Sequence, residues 1–169
     1  MTLTEINQLD KPALAEALQK CCGSMAWVQQ MLALFPVADA DTLMDRANTV
    51  WNSLSEADWR EAFAHHPKIG SDVESLRTKF ASTSHWAEGE QAGVKNTSEE
   101  VLQALAEGNR QYEQKFGYIF IVFATGKTAE EMLAILQARL PNKPDDEILL
   151  AAREQNKITR IRLEKLLAA

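Results

Sequence analysis

The sequence predicts an all-α protein, and three observations carry that prediction. Apolar residues recur at helical spacing along most of the chain, as at Leu43, Ala47, Val50 and Leu54. Residues suited to capping, among them Asp10, Ser24, Ser55 and Thr128, stand directly in front of such runs. One stretch alone, YIFIVFAT at 118–125, has the composition of a strand, and a single strand makes no sheet. The 169 residues suffice for one domain with a proper core, read here as 1–169. Roughly eight helices with short connections are expected.

Taken in order, Asp10 caps a helix with Pro12 in its first turn, which runs through ALAEALQKCC to Gly23. Ser24 caps MAWVQQMLAL, which Pro36 ends. DADTLMDRANTVWNSL follows as an amphipathic helix, and Ser55 opens EADWREAFAHH, with Trp59 and Phe63 four apart on one face. A looser region runs from Pro67 to about Asn96. Thr97 or Ser98 then opens EEVLQALAEGNRQYEQKF, with an acidic first turn and Gly117 as the natural C-cap. YIFIVFAT is read as an extended buried segment or the start of a helix. Thr128 caps AEEMLAILQARL, and DDEILLAAREQNKITRIRLEKLLAA is a long last helix with an acidic start and a basic middle.

Composition narrows the function classes. The chain is 46% hydrophobic and 25% charged, as a globular protein is. Its net charge of −6 argues against binding nucleic acid, which needs clustered Lys and Arg, and against an anionic membrane surface. No run of about 18 apolar residues could span a bilayer. MTLTEINQLDK lacks the basic start and apolar core of a secretory signal, and LLAA is no peroxisomal address, so a cytoplasmic location is expected. Cys21 and Cys22 are neighbours in an apolar stretch, which suits reduced core residues rather than a disulfide. With no CxxC, no HExxH and three histidines in all, no metal site is expected.

Three stretches carry candidate chemistry, each with a plainer reading. In HHPKIG (65–70), Pro67 disfavours the α conformation of the residue before it. His66 is therefore expected to be extended, with its imidazole free to enter a cleft as a general acid or base. The plain reading is that His65 or His66 caps the last carbonyls of its helix. In WAEGEQAG (86–93), Glu88, Glu90 and Gln91 stand among small residues that let a ligand approach; the plain reading is a solvated surface. In KITRIRL, Arg160 and Arg162 are about 200° apart on a helix. Arg162 shares the row of Ile158 and Leu166, taken as the apolar face, and is the more inward of the two. An arginine there needs an anion, either a ligand or a structural carboxylate.

Together with SMAWV, EQAG, NRQYEQKFGYIFIVFATGKT and EMLAILQARLPNKPDDEILLAAREQNKITRIRL, these motifs resemble the 2-oxo-4-hydroxy-4-carboxy-5-ureidoimidazoline (OHCU) decarboxylase family over nearly the whole chain. Each motif is weak alone; order and spacing make the match. The resemblance implies an all-α, commonly dimeric, cofactor-free lyase of urate breakdown that converts OHCU to (S)-allantoin and carbon dioxide. It implies His66 and Glu90 as catalytic residues, with the functional arginine on Arg162 and Arg160 in reserve. It further implies substrate contacts at Pro67, Ala87 and Gln91 and from the backbone of Tyr118, Ile119, Phe120, Ile121 and Val122. Ala87 departs from the family, since many members have serine there.

The reaction implied by the resemblance suits these residue types. Loss of carbon dioxide leaves a carbanion, and the ring C=N beside the carboxylated carbon serves as its electron sink, so no pyridoxal, thiamine or metal is required. The protein must orient the substrate, meet developing charge and deliver one stereospecific proton. A rival reading is a helical interaction module, which is separated from the enzyme by whether His66, Glu90 and Arg162 converge. A hydrolase acting on small ureides is a second rival, and it would need a nucleophile or a metal-activated water.

Overall fold

The structure, a computed structural model, describes residues 1–67, 70, 72–84 and 99–168, with 81–84 as backbone only. The described residues are helical with no strand, so the all-α expectation is met. The helices are α1 (Leu3–Gln8), α2 (Lys11–Cys21), α3 (Met25–Leu32), α4 (Ala40–Ser53), α5 (Glu56–Ala64), α6 (Val73–Ser84), α7 (Glu99–Phe116), α8 (Ala129–Arg139) and α9 (Pro144–Ala168). Contacts divide the chain into two compact units, Met1–His66 with Leu150–Ala169, and Pro67–Leu149.

The caps explain where the helices begin. Asp10, Ser24, Asp39, Ser55 and Thr128 each accept a hydrogen bond from a backbone N–H three residues on, satisfying a donor the helix leaves orphaned. Ser55 and Asp58 form a reciprocal capping box. Gly117, at φ 83, ends α7 as expected, because a left-handed terminus suits a residue without Cβ.

Two helices were not anticipated. The short α1 is nucleated by a capping box between Thr2 and Glu5 and buries Ile6. The region read as loose from Pro67 onward contains α6. Asp72 accepts hydrogen bonds from the amides of Glu74 and Ser75 at 3.4 and 3.2 Å, and Leu76 and Phe80, four apart, supply a buried stripe.

In the first unit, α3 packs on α2, α4 and α5. Trp27, Met31, Leu43, Trp51, Phe63 and Leu163 form its fully buried centre. Trp51 ties α9 to this core by donating its indole N–H to the Ala152 carbonyl at 2.9 Å. In the second unit, α7 packs on α6 and α8. Gly108 of α7 permits the close approach, since a Cβ there would sit 2.6 Å from Leu136 Cδ2.

The stretch 118–125 is neither helix nor strand, with Tyr118, Ile121 and Val122 buried, so it does not begin a helix. Among the described residues, no backbone–backbone hydrogen bond engages the amides of residues 119–122. A polar brace stands in for a partner strand. Arg139, at the end of α8, donates to the Ile121 carbonyl at 2.7 Å and pairs with Glu147 of α9. Glu147 has no exposed surface, so the acidic start of the last helix is not wholly solvated. Its carboxylate also accepts from Tyr112 and from Asn142, the latter at 3.1 Å.

Candidate functional site in the first unit

His66 follows the end of α5, where the amides of His65 and His66 reach back to Ala62 and Phe63 at 3.2 Å each. These tightened turns are made by backbone, and neither imidazole bonds a carbonyl of that helix end among the described residues. The plain capping reading therefore does not describe either side chain. The two rings part company. His65 lies against Gly23, where an added Cβ would stand 2.3 Å from its Cγ. His66 is half-buried and joins Gln155 of α9, Nε2 to Oε1, at 2.5 Å.

That contact begins a chain of polar groups on α9. Gln155 Nε2 donates to Thr159 Oγ1 at 3.2 Å, one helical turn on. Thr159 and the backbone of Ser24 both act on the Cys22 thiol, partly offsetting the effect of its burial. Gln155, Thr159 and Cys22 are all buried. Gln155 and Thr159 each thus find a partner, which is the condition for tolerating polar groups in a core. Cys21 and Cys22 are free thiols, and burial pushes each up to about 11, so both are protonated near neutral pH.

Electrostatics at His66 run the other way. Burial lowers its pKa below the ordinary 6.5, the Gln155 bond partly opposes this, and the charges of Arg162 and His65 lower it further. The ring is therefore neutral at physiological pH, the form that can accept a proton.

Arg162 is half-buried and acts electrostatically on His66, Cys21 and Cys22. It has no ion pair among the described residues. Arg160 is exposed, pairs with Glu164 at 3.2 Å, and borders a cavity of about 210 Å³ between α4 and α9 that neither His66 nor Arg162 lines. Of the two arginines, the one beside His66 is Arg162. The reason offered from sequence needs correcting. Ile158, Arg162 and Leu166 are only half-buried, and the deepest row of α9 is Ala151, Gln155, Thr159 and Leu163. Two polar residues on the most buried row, four apart, were the sequence signal for the Gln155–Thr159 pair.

Arg162 thus lies within electrostatic reach of His66. Ala87, Glu90 and Gln91 lie outside the described residues, and Pro67 is exposed. Within the second unit, the Tyr118–Val122 segment is held by Arg139 and by aromatic packing: Tyr112 lies edge-on to Tyr118 and Phe120 at 5.9 and 5.2 Å. Arg139, Glu147 and Tyr112, which hold this segment, were not singled out from sequence. Among the described residues no group of three His, Cys, Asp or Glu side chains is arranged to hold a metal. No helix among them is long and apolar enough to cross a membrane.

The chain is similar to known proteins. Residues 7–164 match the family model for OHCU decarboxylase. The uric acid degradation bifunctional protein TTL of Arabidopsis thaliana is 39% identical over 147 residues, covering 86% of this chain and 45% of its own length. The bifunctional protein PucL of Bacillus subtilis is 23% identical, covering 98% of this chain and 33% of its own. The chain thus spans less than half the length of these curated relatives. A crystal structure of OHCU decarboxylase in the presence of (S)-allantoin superposes with a TM-score of 0.70 at 36% identity, over 89% of this chain and 96% of that one. A crystal structure of (S)-allantoin synthase, 17% identical with a TM-score of 0.71 over 98% of this chain and 54% of that one, shares the fold. The chain belongs to the OHCU decarboxylase family, a family of carboxy-lyases.

Proposed function

We propose that this chain converts OHCU to (S)-allantoin and carbon dioxide in urate degradation, without a cofactor, and that residues 1–169 act as one decarboxylase domain. The observation that supports this most directly is the half-buried, neutral His66 with the charge of Arg162 beside it. An arginine with no ion pair among the described residues suits an anionic substrate group, and a neutral imidazole next to it suits a proton acceptor.

In this reading, Arg162 holds an anionic or carbonyl group of the ureide. Glu90 hydrogen-bonds its N–H groups. His66 meets the C4 hydroxyl and carboxylate as the C–C bond breaks, and the electron pair flows toward the ring C=N. A proton then reaches C5 from one face and sets the S configuration. Pro67, Ala87, Gln91 and the backbone of 118–122 are proposed as further substrate contacts. The amides of 119–122, which no backbone carbonyl engages among the described residues, suit hydrogen bonding to a ureide.

The test generates OHCU in situ from urate and follows its absorbance and the optical activity of the product with and without the protein. Accelerated decay and S product are expected. An unchanged decay with racemic product sinks the proposal. Positioned proton transfer contributes about 10²–10⁴-fold, so His66→Ala and Glu90→Ala should each lose at least about 10²-fold in turnover while remaining folded. We also propose a homodimer, which light scattering on the purified protein checks; a monomer at micromolar concentration refutes it.

A further inference from the structure

The contact between His66 and Gln155 raises a question that burial alone does not answer: which imidazole nitrogen carries the proton. A neutral imidazole has one donor and one acceptor, and its tautomer is set by the bond its other nitrogen makes. We infer that Gln155 is a positioning residue which locks neutral His66 as the Nε2–H tautomer and leaves Nδ1 as the nitrogen that takes up and returns the catalytic proton. The clause concerning catalysis rests on the function proposed above; the tautomer does not.

The geometry carries the assignment. Gln155 has one amide end toward His66, at 2.5 Å, and the other toward Thr159, at 3.2 Å. With Nε2 of Gln155 donating to the Thr159 oxygen, the Gln155 carbonyl oxygen is the atom that faces the ring. A carbonyl accepts only, so the imidazole nitrogen opposite must donate. The donors therefore point one way, from His66 to Gln155 to Thr159.

Burial makes the arrangement rigid. Gln155 is 1% exposed and Thr159 2%, so neither has water to substitute for a lost partner. Turning the Gln155 amide over would aim an N–H at His66 and strip Thr159 of its donor, reversing each link at once. Polar groups oriented by a second, fully buried layer are what hold a functional ring to one geometry.

Two variants test the inference, with ¹⁵N NMR of the imidazoles as the primary readout. In the wild-type protein above the His66 ionisation, Nε2 should show the shift of a protonated nitrogen and Nδ1 that of a bare one. Gln155→Leu removes the acceptor, and neutral His66 should then populate both tautomers. Turnover of OHCU should fall by roughly tenfold to a hundredfold, the range of a misdirected proton transfer, with KM changing less than about threefold. Gln155→Glu keeps an acceptor at the same place and adds a negative charge. It should retain the Nε2–H tautomer, raise the His66 ionisation by at least about one unit and move the acid limb of the pH profile with it.

Among the described residues, the titratable groups that act on the ring are His65, just past the end of α5, and Arg162 on α9, while Glu61 acts on nearby Cys22. The helix α3, packed on α5, carries none. These groups are present in every variant, so the shift isolates residue 155. A bare Nε2 in the wild-type spectrum overturns the inference. A tautomer and turnover unaffected by Gln155→Leu overturn it as well, and if that variant does not fold, the wild-type and Gln155→Glu spectra decide. If the tautomer is as stated but His66→Ala decarboxylates at the wild-type rate, the tautomer lock stands and the proposed function of His66 falls.

Discussion

Replacing Arg139 by methionine should unfold the protein far more readily than an ordinary surface change, and the magnitude follows from its partners. The guanidinium has a side-chain exposure of 9% and Glu147 one of 0%. Arg139 Nε donates to Glu147 at 2.9 and 3.2 Å, Nη2 donates to the same carboxylate at 2.5 Å, and Nη1 reaches the Ile121 carbonyl at 2.7 Å. The cation also sits over Phe120 at 4.7 Å. Burial works against the charge on Arg139, but the bond to Glu147 and the neighbouring Tyr112 and Glu147 outweigh it and hold its pKa above the usual value.

Methionine keeps much of the apolar stem and leaves the Glu147 carboxylate buried with Tyr112 and Asn142 as its side-chain donors among the described residues. Breaking a buried pair from one side costs about 3–5 kcal/mol. For a chain of this size that corresponds to a drop in melting temperature of roughly 6–20 °C. Urea denaturation of Arg139→Met, Glu147→Leu and the double variant completes a cycle. Because the double variant no longer buries an unpaired charge, its loss should fall short of the sum by at least about 2 kcal/mol. A single-variant loss below about 1 kcal/mol, or strict additivity, would refute the reasoning.

Three further outcomes are expected. Arg162→Ala should lower kcat/KM for OHCU by at least about 10²-fold, the cost of a lost charged contact in a desolvated site, while Arg160→Ala stays within about threefold; equal effects on steady-state kinetics would remove Arg162 from its role. Gly23→Ala forces a Cβ into the base of the His65 side chain, which cannot swing away as a flexible tip could, so thermal denaturation should reveal a loss of about 1–3 kcal/mol. Stability should also depend on pH through His66. Its folded pKa lies below the unfolded 6.5, so its contribution is fully present above about pH 6.5 and is lost as pH falls toward the folded value, because the unfolded chain binds the proton first. Wild-type protein should therefore lose more stability on acidification than His66→Asn, and parallel denaturation profiles across that window would contradict the depressed pKa.

Much of this molecule follows from local rules. Asp10, Ser24, Ser55 and Thr128 open helices because each offers a side-chain acceptor to an amide that the helix itself cannot satisfy. Gly117 ends one because it tolerates positive φ. The helix α6 escaped notice because its stripe is short, two buried residues at Leu76 and Phe80, within a stretch otherwise polar. His66 was legible because proline follows it, and Arg162 was placed ahead of Arg160, although on a row of α9 that proves only half-buried.

What the chain could not disclose by itself is which polar residues are paired across sequence distance. Glu147 looks like one of three acids favouring a helix N-terminus, and only packing shows that Arg139, Tyr112 and Asn142 converge on it. Gln155 and Thr159 look like polar residues of an amphipathic helix, yet they occupy its most buried row because they bond each other and His66, 89 residues away, supplies a further partner. Sequence alone determined the all-α class, most helix starts and the candidacy of His66 and Arg162, since those depend on local backbone preference and on residue chemistry. Tertiary structure decided the protonation of His66 and the brace on residues 118–122, because burial strengthens a hydrogen bond and punishes a missing one, and burial is a property of the fold.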